Sequence, residues 1–283
     1  MSDESPPDPQ RPASSEDAVG TDVGVSVIGA SGRMGTQVCR AVEAAAGLRL
    51  AGRYDVGDNL GDLAGTDVVV EFSVPTASPA NVARCLERGV HVVVGTTGWD
   101  DARLATLRQQ IAAAPPSPSG APVGVLIAPN FALGAVLMMS FAQQAARFFE
   151  SVEIIELHHP DKVDAPSGTA ARTADLVAVA RASAGLGAVP DATTHDPDGA
   201  RGARQHGIPV HSVRLRGLVA HQEVLLGNVG EMLTIRHDSF DRASFMPGVI
   251  EGVRRVADHP GLTVGLEAML DLDRPGGPDR SGG

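Results

Sequence analysis

The stretch Val23-Gly24-Val25-Ser26-Val27-Ile28-Gly29-Ala30-Ser31-Gly32-Arg33-Met34-Gly35 decides the fold. Its first half is short and β-branched and runs into glycine, the pattern of a buried strand. Met34, Val38, Ala41, Val42 and Ala45 then recur at helical spacing up to Gly47. Glycines between a strand and a helix permit a tight turn and let backbone approach a pyrophosphate, whose charge is favoured at the helix N-terminus. The spacing is G-x-x-G-x-x-G, which departs from the usual dinucleotide fingerprint G-x-G-x-x-G. A plain glycine turn would explain the glycines alone. Asp55 adds to them: it ends the next strand, Leu48–Tyr54, 20 residues after Gly35, where a ribose-binding acid is expected.

Outward from this unit the alternation continues. Strands are expected at 68–72, 90–94 and 123–127, with helices near 79–88 and 101–113 between them. Strands alternating with helices imply a parallel, doubly wound sheet. Gly95-Thr96-Thr97 and Ala128-Pro129-Asn130-Phe131 follow strands of this sheet, and ligands bind beyond the carboxyl ends of such strands. Both segments are placed to contact the nicotinamide half of a dinucleotide, and each taken alone reads equally as an ordinary loop.

The pattern changes after residue 130. A helix at 134–149, a strand at 152–157 and a helix at 169–184 are followed by a loop over 185–209. Strands near 210–216, 221–226 and 232–237 follow with short turns, the mark of antiparallel neighbours. A last helix fits 248–257. The fold class is therefore α/β, a Rossmann-like dinucleotide-binding domain with a second α+β domain built on a mostly antiparallel sheet.

The formal net charge of −11 excludes a nucleic-acid protein, which needs a basic face. Residues 1–21 are acidic and Ser/Pro-rich, and are expected to be a disordered tail. No apolar run reaches the roughly 20 residues of a membrane span, and the N-terminus lacks signal-peptide character, so no membrane partner is expected and the cytoplasm is the default. Cys39 and Cys85 sit in helical patterns and read as buried, reduced thiols.

Of 23 basic residues, 22 are arginine; Lys162 is the single lysine. Arginine is permanently charged, whereas a lysine amine can give up its proton when its surroundings demand it. Lys162 lies in His158-His159-Pro160-Asp161-Lys162, a segment that Pro160 keeps from continuing as a helix. Ser167-Gly168-Thr169 then opens a helix whose exposed N–H groups form an anion site, with Ser167 as its cap. Two imidazoles, one amine and a carboxylate-sized anion hole suit a small acidic substrate undergoing hydride and proton transfer. Adjacent histidines rarely share one metal ion and no thiolate is near, so no metal site is expected. No nucleophile elbow supports a hydrolase. The remaining histidines, His91, His195, His206, His211, His221, His237 and His259, read as structural or exposed.

The run from Glu156 to Ala170, together with Gly32-Arg33-Met34-Gly35, Gly95-Thr96-Thr97-Gly98 and Ala128-Pro129-Asn130-Phe131 in the same order, resembles the 4-hydroxy-tetrahydrodipicolinate reductase family over about residues 23–273. The resemblance implies NADH- or NADPH-dependent reduction in the diaminopimelate route to lysine. It implies that His158 and Lys162 carry the proton transfer, in a division left open, and that His159, Gly168 and Thr169 bind the small dicarboxylate substrate. It implies a dinucleotide held by Gly29, Ala30, Ser31, Gly32, Arg33, Met34, Asp55, Gly95, Thr96, Thr97, Ala128, Pro129, Asn130 and Phe131. Residues 22–130 plus 238–283 would form the dinucleotide domain, and 131–237 the substrate domain whose sheet builds a homotetramer. Asp55 favours a free 2′-hydroxyl, while Arg53 and Arg33 stand where either could meet a 2′-phosphate; use of both cofactors is expected, with NADH at least as good. Glu71-Phe72-Ser73 departs from the family's Asp-Phe-Thr, and Val56 follows Asp55 where some members have arginine.

Overall fold

The computed structural model describes residues 22–61 and 63–270. The expected 1–21 tail lies outside them. Six parallel strands form the first sheet: β1 (Val23–Ile28), β2 (Leu48–Tyr54), β3 (Val68–Glu71), β4 (His91–Val94), β5 (Gly124–Ile127) and β11 (Gly261–Val264), in the order β11-β5-β4-β3-β1-β2. Helices α1 (Arg33–Ala44), α2 (Ser78–Leu86) and α3 (Asp101–Ala113) connect them.

Alternate residues of the strands feed two cores. Val25, Val27, Val68 and Val70 pack with Val38 and Val42 of α1 and with Val249 and Val253 of α6 (Met246–Arg255). Val69, Val92 and Val94 pack on the other side with Val82 and Leu86 of α2 and Leu107 of α3. Burial on both faces is what such β-branched runs require. Cys39 and Cys85 are buried free thiols, as expected, one in each core. Burial pushes the Cys85 thiol up to about 12.

Strand β11 was not anticipated. It has four residues and follows Pro260, too little sequence to show a period. Its seat depends on Gly124, where a side-chain Cβ would lie 2.1 Å from the Val256 carbonyl oxygen.

The second sheet comprises β6 (Ser151–His158), β7 (Ala203–Gln205), β8 (Ile208–Arg214), β9 (Ala220–Asn228) and β10 (Glu231–Ser239), ordered β10-β9-β6-β8-β7. Three of its four pairings are antiparallel, but β8 and β9 are not neighbours. Strand β6 lies between them, parallel to β8 and antiparallel to β9. The parallel pair needs a crossover, and α5 (Gly168–Ser183) lies within it. Residues 215–219 pass beside the end of β6, where the Leu215 amide donates to the His158 carbonyl. The 185–209 segment expected to be all loop contains β7, whose three residues form a hairpin with β8.

Helices α4 (Leu133–Ala145) and α5 cover one face of this sheet. Val152 and Ile154 of β6, Val210 of β8, and Val224 and Leu226 of β9 join the same core as β1 and α1, so one apolar cluster spans both sheets.

The glycine loop is tightly fitted. Gly29 has φ +82°, and a Cβ there would meet the Phe72 carbonyl oxygen at 2.4 Å. A Cβ on Gly35 would lie 2.0 Å from the Gly29 carbonyl oxygen, so α1 starts against the loop only because Gly35 has none. Gly29→Ala should cost roughly 1–3 kcal/mol of stability. It should also weaken dinucleotide binding at least tenfold, measured by urea unfolding and fluorescence titration; unchanged values would remove the strained loop from the account.

Candidate active site

The carboxyl ends of β1 to β5 converge on one crevice. The chain passes from β1 to β2 on one side and returns to β3 on the other, which is where open parallel sheets bind ligands. Here the Gly29 and Ala30 amides donate to the Tyr54 carbonyl at 2.8 and 3.2 Å, which locks the loop to the end of β2. The Ser31 amide donates to both oxygens of Asp55 at 3.1 Å. No side chain caps α1, so the amides of its first turn, from Arg33 and Met34, are left for a ligand. Arg53 is engaged by Glu43 at 2.5 Å, whereas Arg33 is exposed.

Beside this loop, Gly95 follows β4. A Cβ there would overlap the Phe72 ring at 2.1 Å, and that ring in turn stacks obliquely on Phe131 at 5.7 Å. Thr96 is buried and its hydroxyl has no partner, while Thr97 is exposed. Ala128 is buried and Pro129 exposed after β5. Asn130 joins this crevice to the second sheet. Its Oδ1 accepts from the Ala132 amide, which leaves Nδ2 to donate to the Thr169 hydroxyl at 3.0 Å. The cradle, the orphan Thr96 hydroxyl and the uncapped helix start all fit an extended, anionic dinucleotide.

The second sheet supplies the other wall. Strand register places Ser212, Glu156, Gln222 and His237 in one row, and Arg214, His158, Ala220 and Ser239 in the next. Both rows continue the face that carries Val152 and Ile154. A pocket is lined by Asn130, His158, Ser167, Thr169, Ala220, His221, Gln222, His237, Ser239 and Phe245, with Ala132, Ala135 and Met138 of the α4 region.

Glu156 is fully buried. Both oxygens accept from Arg214, at 2.8 Å each. One also accepts the Ser167 amide at 3.2 Å, and the other lies 2.6 Å from His158 Nδ1. Burial alone would raise this carboxyl; hydrogen bonds from Arg214, Ser212 and His158 outweigh it and hold it below the usual range. For His158, burial is the largest influence and pushes its pKa down, assisted by the positive charges of Lys162 and Arg214; Glu156 opposes them and loses. Ser167 caps α5, accepting from the Ala170 amide at 3.2 Å. Lys162 Nζ donates to Asp164 at 2.7 Å, and Nδ1 of His159 is buried without a partner.

The structure thus brings His158, Thr169 and Asn130 together around one pocket; His159, Lys162 and Gly168 lie in the adjoining loop and helix start and do not line it. Sequence reasoning missed Glu156 and Arg214 as partners. It also read His221 and His237 as structural or exposed, although both line the pocket. His221 remains structurally tied, to Asp238 at 2.7 Å and to the Val219 amide. A signal for Glu156 existed: period-two alternation puts a charged residue on the apolar face of Val152 and Ile154.

Residues 23–131 match the family model "Dihydrodipicolinate reductase, N-terminus" and residues 134–270 its counterpart "Dihydrodipicolinate reductase, C-terminus". The chain is 58% identical over 249 residues to the 4-hydroxy-tetrahydrodipicolinate reductase of Cutibacterium acnes, covering 88% of this chain and 99% of the relative. It is 59% identical over 250 residues to that of Nocardia farcinica, covering 88% and 98%. Among solved structures, a dipicolinate-bound dihydrodipicolinate reductase from Paenisporosarcina sp. TG-14 superimposes with TM-score 0.76 at 36% identity, covering 88% of this chain and all of the other. An amine dehydrogenase from Mycobacterium smegmatis, at 13% identity and TM-score 0.54, shares the fold alone. A glycine-cradled crevice, a second sheet bearing the His158–Lys162 loop, and family models that together span nearly all the described residues lead to one conclusion: the chain belongs to the dihydrodipicolinate reductase family.

Proposed function

We propose that this protein reduces 4-hydroxy-tetrahydrodipicolinate to tetrahydrodipicolinate with NADH or NADPH, in the diaminopimelate route to lysine. The observation that carries the reading is the meeting of a dinucleotide cradle with the His158 wall of the second sheet, joined by the hydrogen bond from Asn130 to Thr169. Residues 22–130 with 240–270 serve the dinucleotide and residues 131–239 the substrate, two residues beyond the expected boundary at 237 because β10 of the second sheet runs to Ser239; the expected 271–283 part lies outside the described residues.

Substrate and product differ by the oxygen at C4, so water leaves and hydrogen takes its place. The dinucleotide supplies the hydride. The protein binds two carboxylates and supplies a proton where charge develops toward the ring nitrogen. His159, Gly168 and Thr169 receive the carboxylates, the last two at the first turn of α5, where helix amides favour anions. Lys162 is the proton donor we favour. Its ammonium is already held by Asp164, whereas burial and nearby cations disfavour a second proton on the His158 ring. Gly29 to Met34, Asp55, Gly95 to Thr97 and Ala128 to Phe131 hold the dinucleotide.

Asp55 supports NADH: anchored by the Ser31 amide, it offers a carboxylate to a ribose diol and repels a 2′-phosphate. Arg53 is occupied by Glu43, which leaves Arg33 as the cation for NADPH. Among the described residues no helix covers the other face of the second sheet; Met232 and Val213 are exposed on it among the ion pairs of Glu153 with Arg201 and of Arg236 with Asp238. That face fits a homotetramer interface. No helix of the described residues is long and apolar enough to cross a membrane, and the biosynthetic role fits the cytoplasm.

Oxidation of NADH should follow addition of the product condensed from aspartate semialdehyde and pyruvate, and not of free aldehydes; no oxidation, or oxidation with aldehydes, would contradict the reading. In that assay kcat/KM with NADH should equal or exceed that with NADPH, and a strong NADPH preference would overturn the Asp55 argument. Lys162→Arg keeps the charge but should lower kcat about 100-fold or more; near-normal turnover would remove Lys162 as donor. Sedimentation equilibrium should give the mass of four chains, and a monomer would remove the sheet-face interface.

A further inference from the structure

We propose that Glu156 is a positioning residue for the reaction, accepting the Nδ1 proton of His158 so that Nε2 is the ring atom presented to the ligand. The inference rests on the preceding reading of His158 as a residue of the reaction site.

The geometry leaves one arrangement. Arg214 grips the Glu156 carboxylate as a fork, and the Ser167 amide and Ser212 also donate to it. One of its oxygens faces His158 Nδ1 at 2.6 Å. A carboxylate forked by a guanidinium and buried in the sheet stays ionised, so it can only accept. Nδ1 must therefore carry the hydrogen. Nε2 makes no hydrogen bond among the described residues and is not enclosed, so it is the free nitrogen on this pocket-lining side chain.

Other charged groups do not compete for Nδ1. Lys162 and Asp164, from the following loop, pair with each other. Arg214 of β8 is committed to Glu156 and to the Asp164 carbonyl, and His237 of β10 lies one row away, with no hydrogen bond to His158. With burial and these cations keeping the ring neutral, Nε2 carries a lone pair before substrate arrives. In the resting site His158 is then a proton acceptor, or a hydrogen-bond acceptor for an ammonium such as that of Lys162 or for a substrate N–H or O–H. The arrangement follows the general rule that the partner of one ring nitrogen sets the role of the other.

The tautomer can be read directly in the full wild-type chain. Labelled with 15N-histidine, its His158 signals are assigned by their loss in His158→Gln. At neutral pH we expect a protonated Nδ1 and an unprotonated Nε2; a protonated Nε2 with a bare Nδ1 would overturn the proposal. Kinetics supply the second readout. Glu156→Gln should lower kcat about 10- to 100-fold, as loss of an orienting partner does elsewhere, with KM changed less than about threefold. In a His158→Gln background the same substitution should cost almost nothing, because it acts through the imidazole. An equal loss in both backgrounds would mean a merely structural role and would overturn the proposal. If His158→Gln alone kept wild-type turnover, the assignment of His158 to the reaction site would fall, and this inference with it, although the tautomer would still be read by NMR.

Discussion

The rest of this site depends on a negative charge that has been taken out of water. Glu156 sits in the central strand of the second sheet with no exposed surface. A carboxylate there must be paired, and removing one partner of such a pair costs about 3–5 kcal/mol. The partners come from different parts of the chain: Arg214 from β8, the Ser167 amide from the start of α5, and His158 from the end of the same strand. Arg214 also reaches the Asp164 carbonyl, which pins the loop carrying Lys162. One carboxylate therefore fixes the ring, the loop and the helix start.

The other wall is set by a different constraint, the close approach of backbone to backbone. Gly29 and Gly35 let the first loop and helix crowd together, and Gly95 leaves room for the Phe72 ring. The two walls meet where Asn130, after β5, holds Thr169 in the first turn of α5. A ligand extended from the glycine loop along the strand ends would reach the polar rows of the second sheet. A single apolar cluster running from β1 through α4 to β9 keeps the walls in register.

What the sequence disclosed followed the range of the interactions. Strand, glycine loop, helix and Asp55 lie within 33 residues and could be read directly. So could the helix start at Ser167, because its cap is local. Strands β7 and β11 escaped because three or four residues carry no measurable period. The insertion of β6 between β8 and β9 escaped because it is set by a crossover, not by the turn at 215–219. Arg214 lies 58 residues from Glu156, and only the sheet register brings them together. His237 reached the pocket in the same way, in the row of Gln222. Alternation along β6 did put Glu156 and His158 on one face, but which donors neutralise a buried acid depends on the whole sheet.

The central claim is that the two walls enclose one reaction, with hydride crossing from the crevice of the parallel sheet to a substrate held on the second sheet. The most direct measurement follows the hydrogen. The condensed substrate is reduced with NADH deuterated at the transferable position of nicotinamide C4, and the product is examined by NMR and mass spectrometry. The account predicts one deuterium per turnover at C4 of tetrahydrodipicolinate, the carbon that loses oxygen. Deuterium appearing in solvent, or a product carrying it at another carbon, would contradict it.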